Sequence, residues 1–457
     1  MKYVIFTFSG EGLPIAEKLK AEGQSVTVAQ IADEKNTVLP EDIDSFEPED
    51  ADTKKVRISL YDGVIKKYDA DLVAKQLLKV KHKEDYFLFF DFNHAFQYAE
   101  KLQDAGFKGN FPTSWDRKME ADRDAAKDIV AEHYPQVKVA RKHHFEKINE
   151  FMKIADDLFE NDIWVLKPMS DGAKTKVPDS GDPQTAKQEI IDAIESDPSG
   201  YESEGFELEL MIPNVIEITP QKVYYDGKPL YVSLDIEAKR LGSAEGPMTG
   251  CAADLVFPID MDSRIARIAF PKYVDGLAKQ HRGLFIWDIS LLINPSTGAI
   301  YMGEFCPNRP GYNAFYTELS LLEYITQWFE DVVAGKNPMN GAQKFGASVR
   351  MFQVKENGKK EGIGITLDDF KAPNIWIIDG KLGKDGGPET AGYIWDVGVA
   401  TGSGSTPEIA AYEAYENAQG LLFDGKTMGR SRGDYLGTDS KDSIMMRYHY
   451  LIENKLI

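Results

Sequence analysis

Apolar residues along this chain recur with two periods, and stretches of each alternate from the start. Residues 3–8 form a short apolar run, the pattern of a strand covered on both faces. Gly10-Glu11-Gly12 then makes a turn, and from Leu13 to Glu22 the positions Ile15, Ala16 and Leu19 fall on one helical face. Gly23 ends that helix, and Ser25-Val26-Thr27-Val28 resumes as a strand. Strand, glycine turn, helix and strand open a parallel α/β sheet. Backbone N–H groups of such a turn can hold a phosphate at the helix N-terminus. The same turn can equally be a tight connection without a ligand, and the third glycine of a dinucleotide motif is missing. Tyr86 to Asp91 predicts a second buried strand and 94–105 a helix closed by Gly106, with Pro112 and Thr113 marking a domain edge. Residues 33–55, acidic and poor in large apolar side chains, predict a solvated excursion.

Further on, Glu120 to His133 predicts a helix with a charged, solvated face. A smaller α/β unit follows over 141–218, with helices near 146–159 and 183–196 and strands at 163–167 and 206–212. Residues 222–305 read mostly as strands, with one helix near 264–280. After Gly341 come strands near 346–354 and 391–399, and then a well-marked helix. Thr406 is its N-cap, Pro407 takes the first helical position, and Ala411, Ala414, Tyr415, Ala418 and Leu422 share a face. The fold class is α/β.

At 457 residues, the chain has room for about three domains. The 53 Lys and Arg against 74 Asp and Glu give a net charge of −21, which argues against nucleic acid or an anionic membrane as partner. An anionic small molecule remains compatible, because a basic pocket can sit within an acidic protein. Two cysteines exclude a disulfide scaffold and fit a reducing compartment. No stretch approaches the roughly 18 apolar residues of a membrane span, and the expected location is cytoplasmic.

Candidate chemistry centres on a predicted hairpin. Gly283 to Ile293 alternates, Asn294-Pro295-Ser296-Thr297-Gly298 turns, and Ala299 to Phe305 returns. Asp288 and Glu304 lie equally far from Ser296 in sequence. A symmetric register makes them cross-strand partners, with Cβ atoms roughly 4.5–5.5 Å apart. Facing carboxylates repel, and a hard divalent cation held by one or two carboxylates plus substrate phosphates compensates them. A slipped register, or a lysine or arginine between them, removes that need. Lys167 ends the apolar strand Ile163-Trp164-Val165-Leu166 ahead of a Gly172-containing loop with Lys174 and Lys176. It reads either as a point charge for a polyphosphate or as a solvated strand-end lysine. Glu207 and Glu209 share a strand face before Met211, and Glu217 follows. They form either an exposed acidic edge or a strand exit that meets an adenine, with a later glutamate on ribose.

Taken in order, these segments resemble an ATP-grasp ligase, and within that family phosphoribosylamine–glycine ligases. The resemblance rests on Ser9-Gly10-Glu11-Gly12, Arg123 to Asp128, Val165-Leu166-Lys167-Pro168 through Lys176-Val177, and Asp235-Ile236-Glu237-Ala238-Lys239-Arg240. Gly246-Pro247-Met248-Thr249-Gly250, Glu304-Phe305 with Asn308-Arg309, and the segments from Gly392 to Lys426 continue it. It implies an N-terminal parallel-sheet domain over 1–112, an ATP-grasp core over 113–340 with a mobile lid near 141–216, and a C-terminal α/β domain over 341–457. It also implies ATP-dependent joining of a small-molecule carboxylate to an amine through an acylphosphate, by a monomer or homodimer. Lys167 and Lys176 are then the phosphate ligands, Glu209 and Met211 the adenine contacts and Glu217 the ribose contact. Asp288, Glu304 and Asn308 hold Mg²⁺ or Mn²⁺, and Lys239, Arg240 and Arg309 hold substrate.

Departures from the family pattern concentrate on substrate segments. The first loop lacks the family's arginine and histidine, the family's Gly-Pro-Glu is here Asp91-Phe92-Asn93, and Cys306-Pro307 widens the spacing between Glu304 and Asn308. These changes suit a relative acting on a different amine. A non-catalytic nucleotide-binding relative is the other reading, and the retained Asp288 and Glu304 argue against it.

Overall fold

The structure is a computed structural model that describes residues 1–8, 10–31, 60–169, 175–242, 248–308, 312–353, 361–367, 373–393, 396–437 and 443–457. Of the sequence readings above, the 33–55 excursion, the loop residues 170–174, residues 243–247 and Arg309 lie outside these. Contacts divide the chain into two compact units. Unit 1 comprises 1–129, 217–291 and 303–457, and unit 2 comprises 130–216 and 292–302.

Unit 1 begins with an all-parallel sheet of β1 (Lys2–Thr7), β2 (Ser25–Gln30), β3 (Lys67–Asp69), β4 (Tyr86–Phe90) and β5 (Lys108–Gly109), in the order β3-β2-β1-β4-β5. The central strands β1 and β4 are near-continuous apolar runs because both faces are covered, as parallel sheets require. Val4, Phe6, Leu88 and Phe90 pack with Ala99 and Leu102 in one cluster. Phe6 and Phe90 stack at 4.6 Å. Thr113, predicted as a domain edge, is an N-cap whose capping box with Asp116 starts the helix Ser114–Ala121. The helix expected over Glu120 to His133 is therefore two, since Arg123–His133 begins separately after Asp122.

In unit 2, β6 (Val137–Lys138) pairs with the hairpin tip, and β7 (Lys142–Phe145), β8 (Trp164–Pro168) and β9 (Phe206–Leu210) form a three-stranded sheet in the order β7-β9-β8. Phe206, Leu208, Phe145, Trp164 and Leu166 point to one face and pack with Phe151, Ala186 and Ile190 of the helices Ile148–Leu158 and Pro183–Ser196. Alternation therefore puts Lys142, Glu207, Glu209 and Lys167 on the other face.

The large sheet of unit 1 is built from β10 (Ile216–Tyr225), β11 (Lys228–Arg240), β12 (Met248–Ile259), β13 (Leu284–Ile293), β14 (Ile300–Phe305) and β15 (Phe345–Gln353). Beyond β16 (Ile365–Thr366) it is completed by β17 (Ile375–Ile377), and, past the small hairpin β18 (Gly380–Leu382) and β19 (Pro388–Thr390), by β20 (Asp396–Gly404). The order runs β17-β20-β15-β12-β11-β10-β13-β14. The sequence boundary at 340/341 thus runs through one sheet, because β15 pairs antiparallel with β12. The helix predicted near 264–280 breaks into Arg264–Ala269 and Lys272–Ala278, since Pro271 has no N–H to continue the first. Of the strand expected at 391–399, the part from Asp396 on is strand, whereas Gly392 and Tyr393 are held in a loop, their amides accepted by the Asp379 carboxylate, both at 2.9 Å.

Thr406 caps the helix Pro407–Gly420 as predicted, accepting from the Ile409 amide. This helix lies directly on β20. A Cβ built on Gly402 would stand 2.3 Å from the Ala414 nitrogen and 2.5 Å from the Ala410 oxygen. Those are backbone atoms and cannot rotate away. Gly402→Ala should therefore destabilise by about 1–3 kcal/mol or more through overpacking, read from chemical denaturation, while Gly420→Ala, with nothing within 4 Å, serves as the tolerated control.

Candidate active site

On β11, Asp235, Glu237 and Lys239 alternate and so share one face of the large sheet. Register adds more charge, because Glu237 pairs with Asp254 on β12, and Asp254 with Ser348 on β15. Glu217 on β10 accepts from Lys239 Nζ at 2.7 Å and from the Ser290 hydroxyl at 2.8 Å. Glu237 lies 3.7 Å from the same Nζ. Glu217 and Lys239, expected to serve ribose and substrate separately, are one ion pair.

Burial decides how this row is protonated. Burial opposes the charge on Lys239, but Glu217, Glu237 and Glu304 outweigh it and hold the ammonium well above the usual lysine range. Burial likewise opposes ionisation of Glu217, yet Lys239, Ser290 and Arg447 keep its carboxyl below the usual range. Asp235 goes the other way. Burial first, then repulsion from Asp254, Glu237 and Asp288, pushes its carboxyl well above the ordinary value. Asp235 and Glu237 follow each other on the shared face of β11, and burial pushes both carboxyls up, the more deeply buried Asp235 further. Asp254 is neutral-leaning for the same reason of burial, opposed by Ser348, Thr317, Asn313 and Arg350. Arg350 in turn pairs with Asp396 at 3.0 Å.

The hairpin forms, but its register differs from the symmetric one. Asn294 Oδ1 accepts the Ser296 and Thr297 amides at 3.0 and 3.1 Å, and Gly298 adopts a φ of 69°. Asn294 N–H then closes on the Ala299 carbonyl at 2.9 Å. Further along, Cys306 N–H donates to the Asp288 carbonyl at 3.1 Å, and Asn308 N–H to Ile286 at 2.6 Å. Asp288 is therefore opposite Cys306, not Glu304. The turn set by Asn294 and Gly298, not Ser296, moves the register by one residue, and a further one-residue irregularity before Cys306 completes the slip. Glu304 is exposed, with its charge felt by Lys239, while Asp288 is buried. Asn308 is fully buried at a φ of 55°, and its amide donates to Asp116 at 3.5 Å. Asp116 also stands 3.6 Å from His281, which Asp116 holds above the usual imidazole range against burial. No group of three or more His, Cys, Asp and Glu is gathered as a metal cage among the described residues.

In unit 2 the candidate lysines are also paired. Lys167 Nζ donates to Glu209 at 2.7 Å, and beside it Lys142 pairs with Glu207 at 3.1 Å. Lys142 and Glu207 as a pair were not singled out from sequence, although alternation on β7 and β9 carried the signal. Lys176 pairs with Asp179 at 3.0 Å and Glu189 at 2.9 Å, and it brackets the 170–174 loop by exchanging both backbone hydrogen bonds with Leu166, at 2.9 and 3.0 Å. The Met211 amide donates to the Ile163 carbonyl at 2.8 Å, so its N–H is already used. The Arg240 carbonyl accepts from Arg430 at 3.1 Å. In the first loop, the amides of Phe8 and Gly12 donate to the Asp91 carboxylate at 3.0 and 2.9 Å.

No family model matches the sequence, and no curated protein sequence matches it. Among solved structures, the chain is similar to the phosphoribosylamine–glycine ligase of Thermotoga maritima, with a TM-score of 0.61 at 18% identity over 94% of this chain and 99% of that one. It is similar to the L-amino acid ligase of Bacillus licheniformis, with a TM-score of 0.53 at 14% identity over 93% and 98%. A third likeness is to the biotin carboxylase domain dimer of Hydrogenobacter thermophilus 2-oxoglutarate carboxylase, in complex with MgADP and bicarbonate, with a TM-score of 0.54 at 12% identity over 99% and 97%. At these identities the shared property is the fold, and it is the ATP-grasp fold that the sequence resemblance implied. No helix among the described residues is long and apolar enough to cross a membrane.

The Glu217–Lys239 pair has a direct thermodynamic consequence. Lys239→Met leaves the half-buried Glu217 beside Glu237 without its cation, and should destabilise by about 1–3 kcal/mol at neutral pH. Because the folded Glu217 titrates below its unfolded value, the pair contributes fully above the ordinary carboxylate range and is lost as pH falls through the depressed folded value. The gap between parent and variant should therefore narrow on acidification, measured by urea unfolding across the acid range. A gap that stays constant would show that Lys239 acts through packing instead.

Proposed function

We propose that this protein is an ATP-dependent carboxylate–amine ligase acting on small molecules. The observation that carries the reading is the near full-length likeness to a phosphoribosylamine–glycine ligase, spanning 94% of this chain and 99% of that one. The segments quoted from sequence for that resemblance hold the paired lysines, Lys167, Lys176 and Lys239.

In this reading a substrate carboxylate attacks the γ-phosphorus of ATP and ADP leaves. The acylphosphate is then attacked by the amine, which expels phosphate and forms the amide. No side-chain nucleophile is required, because phosphoryl transfer is catalysed by positioning and charge neutralisation. Lys167 and Lys176 meet the phosphates as point charges, exchanging Glu209 and the Asp179–Glu189 pair for them. Glu209 and Met211 line the base, with Met211 offering its side chain and carbonyl, and Glu217 lies at the ribose. Lys239, Arg240 and Arg309 hold the substrate carboxylate or its phosphorylated form. Mg²⁺ or Mn²⁺, when bound, neutralises phosphate charge. Asp288 and Glu304 fit such an ion, since a hard cation on a nucleotide needs only one or two protein carboxylates. Asn308 joins them only by leaving Asp116. We further propose a monomer or homodimer, and an amine other than phosphoribosylamine.

The test is release of ADP and phosphate by the full chain with ATP and Mg²⁺, across a panel of amino acids paired with amines. Turnover that needs both an acid and an amine supports the ligase, and failure to bind or turn over ATP with every pair overturns it. Given an active pair, Glu304→Gln and Asp288→Asn should each lower turnover on the order of 10²-fold, and the double change little further, because residues serving one ion act together. Lys167→Ala should weaken ATP binding in calorimetry, and unchanged affinity would assign Lys167 to its ion pair with Glu209 alone.

A further inference from the structure

In the N-terminal sheet the strand order turns at β1 and β4, with β2 and β3 on one side and β5 on the other. An open parallel sheet offers its ligand crevice at the carboxyl ends of the strands where the order turns. The Gly10-Glu11-Gly12 turn and the first residues of the helix Leu13–Ala21 stand at that point. Amides in such a place ordinarily hold an anion. Here the anion is internal. Asp91, the first residue beyond β4, accepts the Phe8 N–H on Oδ1 at 3.0 Å, and the Gly12 N–H on Oδ2 at 2.9 Å together with the Thr7 hydroxyl.

Two more amides of the turn are spent as well. Gly10 N–H donates to Thr7 Oγ1 and Leu13 N–H to the Gly10 carbonyl, both at 3.0 Å. Asp91 is 3% exposed. A Cβ at position 12 would stand 2.5 Å from Ile5 Cγ2 and 3.4 Å from Asp91 Oδ2, so glycine lets the turn lie against β1. The rim is aromatic. The partly exposed rings of Phe8, Phe92 and His94 stack, with His94 at 5.0 Å from Phe8 and 4.5 Å from Phe92.

We infer that Asp91 is a specificity-determining residue that occupies the place of a substrate phosphate or carboxylate and closes this turn to anions. An anion brought there meets a buried carboxylate and amides that already have acceptors. The amine that reaches this edge is therefore neutral or cationic at the end that meets it, and carries no phosphate there. The statement about the amine rests on the ligase reading, whereas the closure of the turn to anions does not.

Anion rescue tests it. Asp91→Ala removes the internal anion and leaves the Phe8 and Gly12 amides without it, so the full-length variant should unfold at a lower temperature. Inorganic phosphate or sulfate should then raise its Tm saturably, well beyond the effect on the parent, while chloride at equal ionic strength should not. Asp91→Asn keeps the side-chain volume and one acceptor oxygen, and it makes the same comparison if Asp91→Ala does not fold. A parent that is stabilised by phosphate as saturably as the variants, or variants no more responsive than the parent, would overturn the inference. ATP turnover by the parent is scored separately, with ethanolamine and phosphoethanolamine as paired amines. No turnover with any amine sinks the ligase reading and leaves the anion rescue to judge Asp91. Turnover with phosphoethanolamine as good as with ethanolamine, in a protein that does turn over ATP, counts against Asp91.

Discussion

Lys239 stands half-buried on the large sheet, 2.7 Å from Glu217 and 3.7 Å from Glu237, and what strands β10, β11 and β12 can carry follows from keeping that lysine charged. An ammonium drawn partly out of water needs carboxylates around it, and carboxylates more deeply buried beside it need donors in turn. The chain meets the second demand in steps. Ser290 donates to Glu217, burial disfavours charge on Asp235, and Asn313, Thr317 and Ser348 surround Asp254 with donors and hydroxyls. Arg350 closes the row, bonded to Asn313 at 3.2 Å and to Asp396 at 3.0 Å. Asp396, pushed up to about 6 by burial despite Arg350 and Tyr312, marks where the supply of positive charge runs out.

This row explains why the C-terminal strands are part of the same unit as the strands before them. Ser348 and Arg350 lie on β15, Asp396 on β20, and the helix Tyr312–Leu319 supplies Asn313 and Thr317. Without them, Asp254 would be an unsatisfied buried carboxyl on β12. The boundary at 340 marks a change in sequence pattern, whereas the polar layer sets a continuous structure across it.

Local elements were legible in the sequence wherever one residue's chemistry decided them. Thr406 as N-cap, with proline following, places the helix Pro407–Gly420, and the same pair, Asp182 and Pro183, starts the helix Pro183–Ser196 in the structure. Alternation placed both strands of the hairpin to within a residue. What failed was counting across a turn. Ser296 is the midpoint by sequence, but Asn294 folds its side chain onto two amides and Gly298 takes a positive φ, which moves the register by one, and a second irregularity further along brings Asp288 opposite Cys306. Pro271 was visible and should have divided its helix. The candidate site was legible as residue types and faces. It was not legible as pairs, because nothing local distinguishes a lysine for a phosphate from a lysine for Glu209. Asp91 was noticed only as a departure, since its role depends on amides on a different strand and turn, brought together by the sheet.

Those pairs bear on how a polyphosphate can be received. Lys167, Lys176 and Lys239 each already touch a carboxylate, in a chain whose net charge is −21. Exchanging a carboxylate partner for a phosphate leaves the displaced carboxylate near the incoming anion, and two like charges at about 4 Å repel by about 4 kcal/mol at an effective dielectric constant of 20. Lysine alone therefore cannot make the exchange favourable, because each cation brought to the phosphates uncovers an equal negative charge. Charge carried in with the nucleotide removes the difficulty. A divalent cation on the phosphates makes the arriving species less negative, and turns an acidic side chain such as Glu304 from an obstacle into a ligand. The same acidic setting that forbids a bare phosphate at Asp91 is thus compatible with a nucleotide that arrives with its metal. It makes charge balance, more than the number of lysines, the property by which this chain would sort its anionic ligands.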